Sequence, residues 1–541
     1  MKKCDTLILG NIITLDTDRN IVEALACKDG KVVYVGDKEI AYKLCDDNTK
    51  VLDYSNSYIY PGFFDSHTHG SVAGQRMKFQ CALNVGNSMQ EYADKMKKYV
   101  EENPGRSVYQ GAGWVKKGEI KASMLDEISM DIPIVLSSAD GHSVWVNSAC
   151  LKDCGFDSAK AKELGEDIVH VDENGNPTGW ISESAAMMIM GKYAPSKEDL
   201  KQGLLAWQEF AFANGMTAVV DAAGDAFKGT QDAYKELVEE GKWKLRTYAY
   251  NVHKECMFDA DKYVEAIKND IKTYNSEYYK VMGGKMFVDG VVEAHTAFLI
   301  DGYEDDKDYH GVFNYIGNEE VIKEVVQKLN AEGLPVHFHT IGDGAVKFAM
   351  DCIENSEITN CDFSVKNCLA HLEIVKPEDI KRMAQYHTIG IVAPLWVPID
   401  KAYFAPEVEY LGEDRAYNAY PIKSLENAGV TICFHTDYPV TSIVGYPKAF
   451  YIAKKRMDPI KRAKSVKNPD EGIDQLRSLL AITANAAYMV NEQDHLGRLA
   501  RGMVANLVVY DSDLLAQDIE KVPNAKLLAT IVDGNVVYEN K

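Results

Sequence analysis

Eight short apolar runs, most of them separated by amphipathic stretches, constrain this chain more than any other feature. The runs fall at 58–64, 217–220, 245–250, 281–288, 335–339, 367–371, 389–393 and 430–434. Between them, the segments 198–214, 230–240, 260–274, 319–332, 345–354 and 377–385 repeat apolar residues with helical period. Strands alternating with helices point to a parallel sheet covered on both faces. Eight such units predict an α/β protein built on a (β/α)8 barrel. A regular barrel of this kind takes about 250 residues, yet here the strands run from 58 to 434. Most of the excess lies between the first two strands, at about 70–195, where 132–136 predicts a strand and 124–128 part of a helix. Loops after the C-terminal ends of barrel strands line the active site, so this insertion is expected to form a side or lid of the pocket.

The two ends have a different texture. Residues 6–9 and 12–15 are apolar and β-branched around Gly10-Asn11, which predicts a turn. The runs 22–26 and 31–36 flank Lys28-Asp29-Gly30, and at the other end 529–532 and 536–538 flank Asp533-Gly534-Asn535. Asp-Gly between β-branched runs is a strong hairpin signal. A further strand is expected at 506–510. Lone hairpins are marginal in water, so the ends are expected to join as one discontinuous β-sandwich, 1–57 with 497–541, around a barrel of 58–496.

Composition mainly excludes partners. The 541 residues carry 59 Lys plus Arg against 81 Asp plus Glu, a formal charge of −22. Bulk electrostatics therefore do not draw the chain to nucleic acid or to an anionic membrane surface. No run of 18 apolar residues occurs, so no bilayer-spanning segment is expected. Asp5, Asn11 and Asp16 interrupt the first apolar run and no small-residue cleavage site follows, so a signal peptide is not expected. The 11 cysteines are an odd number without a C-x-x-C pair, which fits reduced thiols in a cytoplasmic protein.

The 13 histidines carry the chemistry. Two His-x-His pairs occur, His67-Thr68-His69 and His337-Phe338-His339, where chance supplies roughly 0.3. The first pair closes the run Ile59 to Asp65, and residues i and i+2 of a strand face the same side. Both imidazoles therefore point into the barrel mouth. Lys285 lies inside an apolar run, where an ammonium is costly unless neutralised or modified. The fifth run ends at His339, the sixth at His371, and the eighth leads into Asp437. Five of eight strands thus deliver a candidate ligand to one end of the barrel. Imidazoles with a carboxylate suit zinc, and also iron, nickel or manganese. Such an ion lowers the pKa of a bound water toward about 7 and polarises a carbonyl. Asp437 is placed to act as ligand and as general base. Lys285 fits best as the carbamate formed with CO2, an anion able to bridge two ions. His337 faces the same way as His339 but deeper, and is expected to be a packing residue.

The constellation resembles the amidohydrolase superfamily, over nearly the whole chain. Pro61 to His69 is similar to its first-strand signature. The stretches Lys285-Met286-Phe287-Val288-Asp289-Gly290, Thr296 to Leu299, His339-Thr340-Ile341-Gly342-Asp343, Gly141 to Ser148 and Gly497 to Leu507 resemble the amidohydrolase-3 branch, which includes YtcJ-like proteins and N-substituted formamide deformylase. Asn506 stands where the closing motif usually has Asp, and His435-Thr436 stand where relatives often have a small residue and Ser. The resemblance implies His67, His69, His339, His371 and Asp437 as ligands of one or two divalent ions, zinc foremost, with carboxylated Lys285 as a bridge.

Other residues are candidates for touching substrate: Trp114, His142 and Glu183 in the insertion, with Trp180 beside them, and Asp289, His295 and Trp396 after strand ends. For Trp114 and Trp180 ordinary packing weighs equally. Asp343 is expected to cap a helix beginning near Gly344, and Glu304-Asp305-Asp306 to be a solvated loop. The expected activity is metal-dependent hydrolysis, through activated water, of the C–N bond of an amide, N-substituted formamide or cyclic amide. Deamination of a ring amidine is the alternative. A non-catalytic binding protein would be expected to have lost ligands, and none is missing. The expected partner is a small molecule, with an apolar or aromatic substituent favoured by Trp114, Trp180, Phe298, Tyr303 and Trp396, and the expected assembly is a homodimer.

Overall fold

The computed structural model describes residues 3–16, 21–83, 88–138, 143–166, 168–399, 404–441 and 444–540. It divides into two compact units, Met1–Gly70 with Gln208–Lys541, and Ser71–Trp207.

The first unit contains eight parallel strands in chain order: Phe63–Thr68, Met216–Asp221, Arg246–Asn251, Tyr279–Phe287, Val336–Thr340, Cys368–His371, Ile389–Val392 and Ile432–Phe434. This is the expected (β/α)8 barrel. Alternation along the strands turns Phe64, Ala218, Val220, Tyr248, Tyr250, Cys368, Ala370, Ile389, Ile391 and Cys433 into one buried cluster. The register sets Lys285 opposite His337, Phe287 opposite His339, and Thr340 opposite His371. The first and eighth strands are stitched together at their C-terminal ends. The Asp65 carboxylate accepts from Thr436 N (3.1 Å) and Thr436 Oγ1 (2.7 Å), and Asp437 N donates to His67 O (3.0 Å).

The first barrel strand starts later than the apolar run suggests. Tyr58 to Pro61 end a different strand, Lys50–Pro61, which pairs antiparallel with Leu507–Tyr510. Gly62 is the joint between the two sheets. Its N–H donates to Asn506 O at 2.8 Å, and a Cβ there would meet Thr217 Oγ1 at 2.2 Å. The shift brings His67 and Thr68 into the barrel strand itself.

Both chain ends do form one sheet. Its seven strands lie in the order Asn535–Glu539, Leu527–Val532, Leu507–Tyr510, Lys50–Pro61, Thr6–Ile13, Ile21–Lys28, Lys31–Gly36. The far edge curls back: Val32 N donates to Met503 O (2.8 Å) and Ala505 N to Gly30 O (2.9 Å). This encloses a core that includes Ile8, Leu25, Val32, Ile59, Leu507 and Ile531. Both Asp-Gly hairpins form, with positive φ at Asp29 (50°), Gly30 (75°), Asp533 (51°) and Gly534 (74°). Gly10-Asn11 is not a turn. Thr6–Ile13 is continuous, with a shift of pairing register between Gly10 and Asn11, and a Cβ on Gly10 would lie 2.7 Å from Ile59 Cδ1.

The helices Lys197–Ala213, Thr230–Glu239, Ala260–Tyr274, Glu319–Ala331 and Pro377–Gln385 follow the expected periodic segments closely. The helix Asp343–Asn360 is longer than expected and is capped by Gly342 rather than by Asp343. Asp343 lies in the first turn instead, where its carboxylate accepts from Ile300 N at 2.9 Å and sits 3.5 Å from Lys376 Nζ. No described helix is long and apolar enough to cross a membrane.

The second unit has its own six-stranded sheet, ordered Val169–Val171, Pro177–Ser182, Ser143–Val146, Ile134–Ser138, Tyr109–Trp114, Gln80–Ala82. The strand expected at 132–136 appears as Ile134–Ser138, and the expected helix as Ala122–Asp126.

Candidate metal centre

The barrel strands bring the six expected ligands, His67, His69, Lys285, His339, His371 and Asp437, into one region, with His69 and His339 partly exposed. His67, His69 and Asp437 form a group whose ligating atoms all lie within 4.8 Å of one another. His69 Nε2 is 3.2 Å and His67 Nε2 3.4 Å from the same oxygen, Asp437 Oδ1. That oxygen makes no hydrogen bond among the described residues. Two imidazole nitrogens that converge on a carboxylate oxygen without bonding to it have the arrangement of ligands around a shared ion. His371 lies beside this group, with its ring centroid 5.0 Å from that of His67 and 4.5 Å from that of His339. Lys285 is fully buried, and it raises the cost of protonating the surrounding imidazoles.

Several buried polar atoms here have no partner among the described residues: Lys285 Nζ, both nitrogens of His371, both of His435, Nδ1 of His337, and Asp437 Oδ1. Buried polar groups are nearly always hydrogen-bonded, so a concentration of them at one end of the barrel calls for a common partner. Protonation states agree. Burial, reinforced by the charge of Lys285, pushes His67 and His337 well below the usual histidine range, and burial with His339 does the same at His371. These imidazoles are therefore neutral, the form that ligates a metal. Burial also pushes the Lys285 ammonium down to about 7, against the pull of Asp437. The donor set of neutral imidazoles, a carboxylate and a lysine ready to lose its charge fits a divalent cation.

Two residues hold the candidate ligands in place. His67 Nδ1 lies 2.8 Å from His337 Nε2, so His337 is more than the packing residue its sequence position suggests. Asp289 was a candidate for substrate contact, but its oxygens are occupied. Oδ1 accepts from Ile341 N (3.1 Å) and lies 3.1 Å from His339 Nδ1, while Oδ2 accepts from Gly342 N (2.8 Å) and Phe298 N (3.1 Å). It orients His339 and the turn that follows. An Asp four residues after the buried Lys285 was the available signal, but its partners at Ile341 and Gly342 lie far along the chain.

The remaining candidates are placed as follows. Trp396 stacks on His371 with centroids 5.2 Å apart and planes 11° apart, and its Nε1 donates to Thr441 Oγ1 at 2.6 Å. His295, at φ 61°, packs against Tyr303, Tyr309 and Tyr410, with Nε2 3.1 Å from Asp305 Oδ1. Glu304, Asp305 and Asp306 are exposed in a loop as expected, with Glu304 accepting from Lys307 at its surface. In the second unit Trp114 is a core residue, 2% exposed, with Nε1 donating to Leu136 O at 2.6 Å. Trp180 stacks on His170 at 3.6 Å with Lys116 Nζ 3.8 Å from its ring. Glu183 opens the helix Glu183–Lys192 with φ 49° and an exposed side chain. His142 lies outside the described residues.

A parallel barrel with His and Asp ligands at its strand ends defines a class of metal-dependent hydrolases. The sequence pattern of the amidohydrolase family matches residues 50–538, and the chain belongs to that family. It is 27% identical to Protein LONG AFTER FAR-RED 3 of Arabidopsis thaliana, across 98% of this chain and 90% of that one. It is 24% identical to the N-substituted formamide deformylase of Arthrobacter pascens, across 98% of both. Its fold is similar to that of an uncharacterized metal-dependent hydrolase from Pyrococcus furiosus, with a TM-score of 0.77 at 24% identity, covering 94% of this chain and 99% of that one.

Proposed function

We propose that this protein hydrolyses the C–N bond of a small amide, N-substituted formamide or cyclic amide at a divalent metal centre. The observation that carries the reading is the convergence of His67 and His69 on Asp437 Oδ1 without a hydrogen bond. His67, His69, His339, His371 and Asp437 would hold one or two divalent ions, zinc foremost, and Lys285 as a carbamate would supply a further anionic donor. Held there, the ion supplies a more acidic water and polarises the scissile carbonyl. Asp437 takes the proton from the attacking water and returns it to the departing nitrogen, so the amine leaves neutral. The neutral imidazoles keep their lone pairs for the metal. Trp396, stacked on His371, walls one side with an aromatic face and favours an apolar substituent on the substrate. The family membership supports hydrolysis, and the relative named as an N-substituted formamide deformylase supports the C–N bond.

The test is metal analysis of the purified protein, followed by a panel of amides, N-substituted formamides and cyclic amides read by amine release. Stoichiometric metal, with turnover lost in Asp437→Asn by roughly a thousandfold or more, is the expected result. Ammonia from ring amidines with no amine from any amide would overturn the proposal.

A further inference from the structure

His435 stands two residues before Asp437 and one strand step beyond Cys433, which places it on the inner face of the barrel at its C-terminal end. Its backbone continues the sheet, with N donating to Val392 O at 3.0 Å. Its ring centroid lies 5.2 Å from that of His67, 5.1 Å from His371 and 5.6 Å from Trp396. The residue is 2% exposed, and neither ring nitrogen has a hydrogen-bond partner among the described residues. A neutral imidazole has one donor and one acceptor to satisfy, and leaving both unmet in a buried site is costly. A packing role is better served by an apolar side chain. A proton relay needs a hydrogen-bonded neighbour, and none is present among the described residues. Its ring neighbours include two candidate ligands, His67 and His371.

We propose that His435 is a further ligand of the metal centre, an imidazole donor added to His67, His69, Lys285, His339, His371 and Asp437. The inference rests on the metal centre of the proposed function. An added imidazole tilts the donor set away from ions that favour oxygen, such as manganese and magnesium, and toward zinc, nickel or cobalt.

The test compares wild-type protein with His435→Ala and His435→Gln, each stripped by a chelator. Zinc is titrated in competition with a chromophoric chelator, manganese is followed as free ion by electron paramagnetic resonance, and the visible spectrum of the cobalt form is recorded. Expected are a loss of zinc affinity of roughly tenfold or more in His435→Ala, a smaller loss for manganese, and an altered cobalt spectrum. Unchanged zinc affinity and cobalt spectrum in a folded His435→Ala would overturn the inference and leave the metal centre standing. A wild-type protein that binds no stoichiometric ion would overturn both. If neither variant folds, X-ray absorption at the zinc edge of the wild type decides. Imidazoles from His67, His69, His339, His371 and His435 are expected, and a count that only the first four can fill overturns the assignment.

Discussion

The Nδ1 atom of His67 lies 2.8 Å from Nε2 of His337, a contact between the first and fifth barrel strands. It couples the tautomers of the two rings, since one nitrogen of the pair must donate and the other accept. For His67 Nε2 to keep its lone pair beside Asp437, its proton must sit on Nδ1, so His337 accepts at Nε2 and carries its own proton on Nδ1. His337 is then the group that orients a ligand, a place usually held by a carboxylate or carbonyl. His337→Phe is expected to lower zinc affinity by roughly 10–100-fold while the fold persists. His337→Gln, which retains an acceptor, should recover part of the loss. Zinc titration of the stripped variants checks this, and equal affinities in His337→Phe and wild type would remove His337 from the centre.

Asp289 performs the same service for His339 and adds three backbone contacts, to Phe298, Ile341 and Gly342. Asp289→Ala leaves those buried N–H groups without partners, each at a cost of about 1–3 kcal/mol. The variant should therefore melt well below the wild type and bind metal weakly. Asp289→Asn keeps one acceptor oxygen and should fall between them. Thermal melts of metal-free protein separate the structural loss from the loss of ligand orientation. A melt unchanged in Asp289→Ala would refute the role.

These two residues also show where sequence stops being readable. The candidate ligands were legible because each sits at or just past the end of an apolar run: His67 and His69 by spacing, His339, His371 and Asp437 by position. The partners that hold them depend on which strands lie side by side, and no local pattern carries that. His337 reads as packing until the register sets it against Lys285 on one side and His67 reaches it across the barrel. Asp289 reads as a loop residue until the chain returns at Ile341. The first strand failed for a related reason. From Tyr58 to Phe64 the apolar run is unbroken, but the chain changes sheets at Gly62. Hydrophobicity reports that both sides are buried and is silent on which sheet buries them.

His253, just past the third barrel strand, makes stability depend on pH. Burial alone would lower its pKa, but the hydrogen bond and charge of Asp270, with Nε2 2.7 Å from Oδ2, and the charge of Asp225 raise it to about 9 from a usual 6.5. Between those values the folded protein binds more protons here than the unfolded chain. Its contribution is therefore complete below pH 6.5 and is lost as pH rises through 9, on the order of 3 kcal/mol. Subtracting the His253→Gln stability profile from that of wild type, measured by denaturant titration from pH 6 to 9.5, should show a difference that shrinks with rising pH. A difference that is flat, or grows, would count against the pair.

Lys285 gives the last prediction, because its proposed modification has a pH requirement of its own. Only the neutral amine attacks CO2; the N–C bond forms as the amine sheds a proton, and the product is an anionic carbamate. At its usual pKa a lysine would rarely be neutral near pH 7. Here full burial brings the ammonium down to about 7, so about half the side chains can react at that pH. Restoring zinc to stripped protein should therefore depend on bicarbonate, and the benefit of bicarbonate should be larger at pH 8 than at pH 6. Lys285→Met should bind zinc roughly 10–100-fold more weakly and should not respond to bicarbonate at either pH. Zinc uptake in CO2-depleted buffer, followed by inductively coupled plasma analysis after desalting, reads both effects. If stripped wild type reloads fully without CO2, Lys285 does not act as a carbamate, and the unpartnered nitrogen would have to meet the centre as a neutral amine.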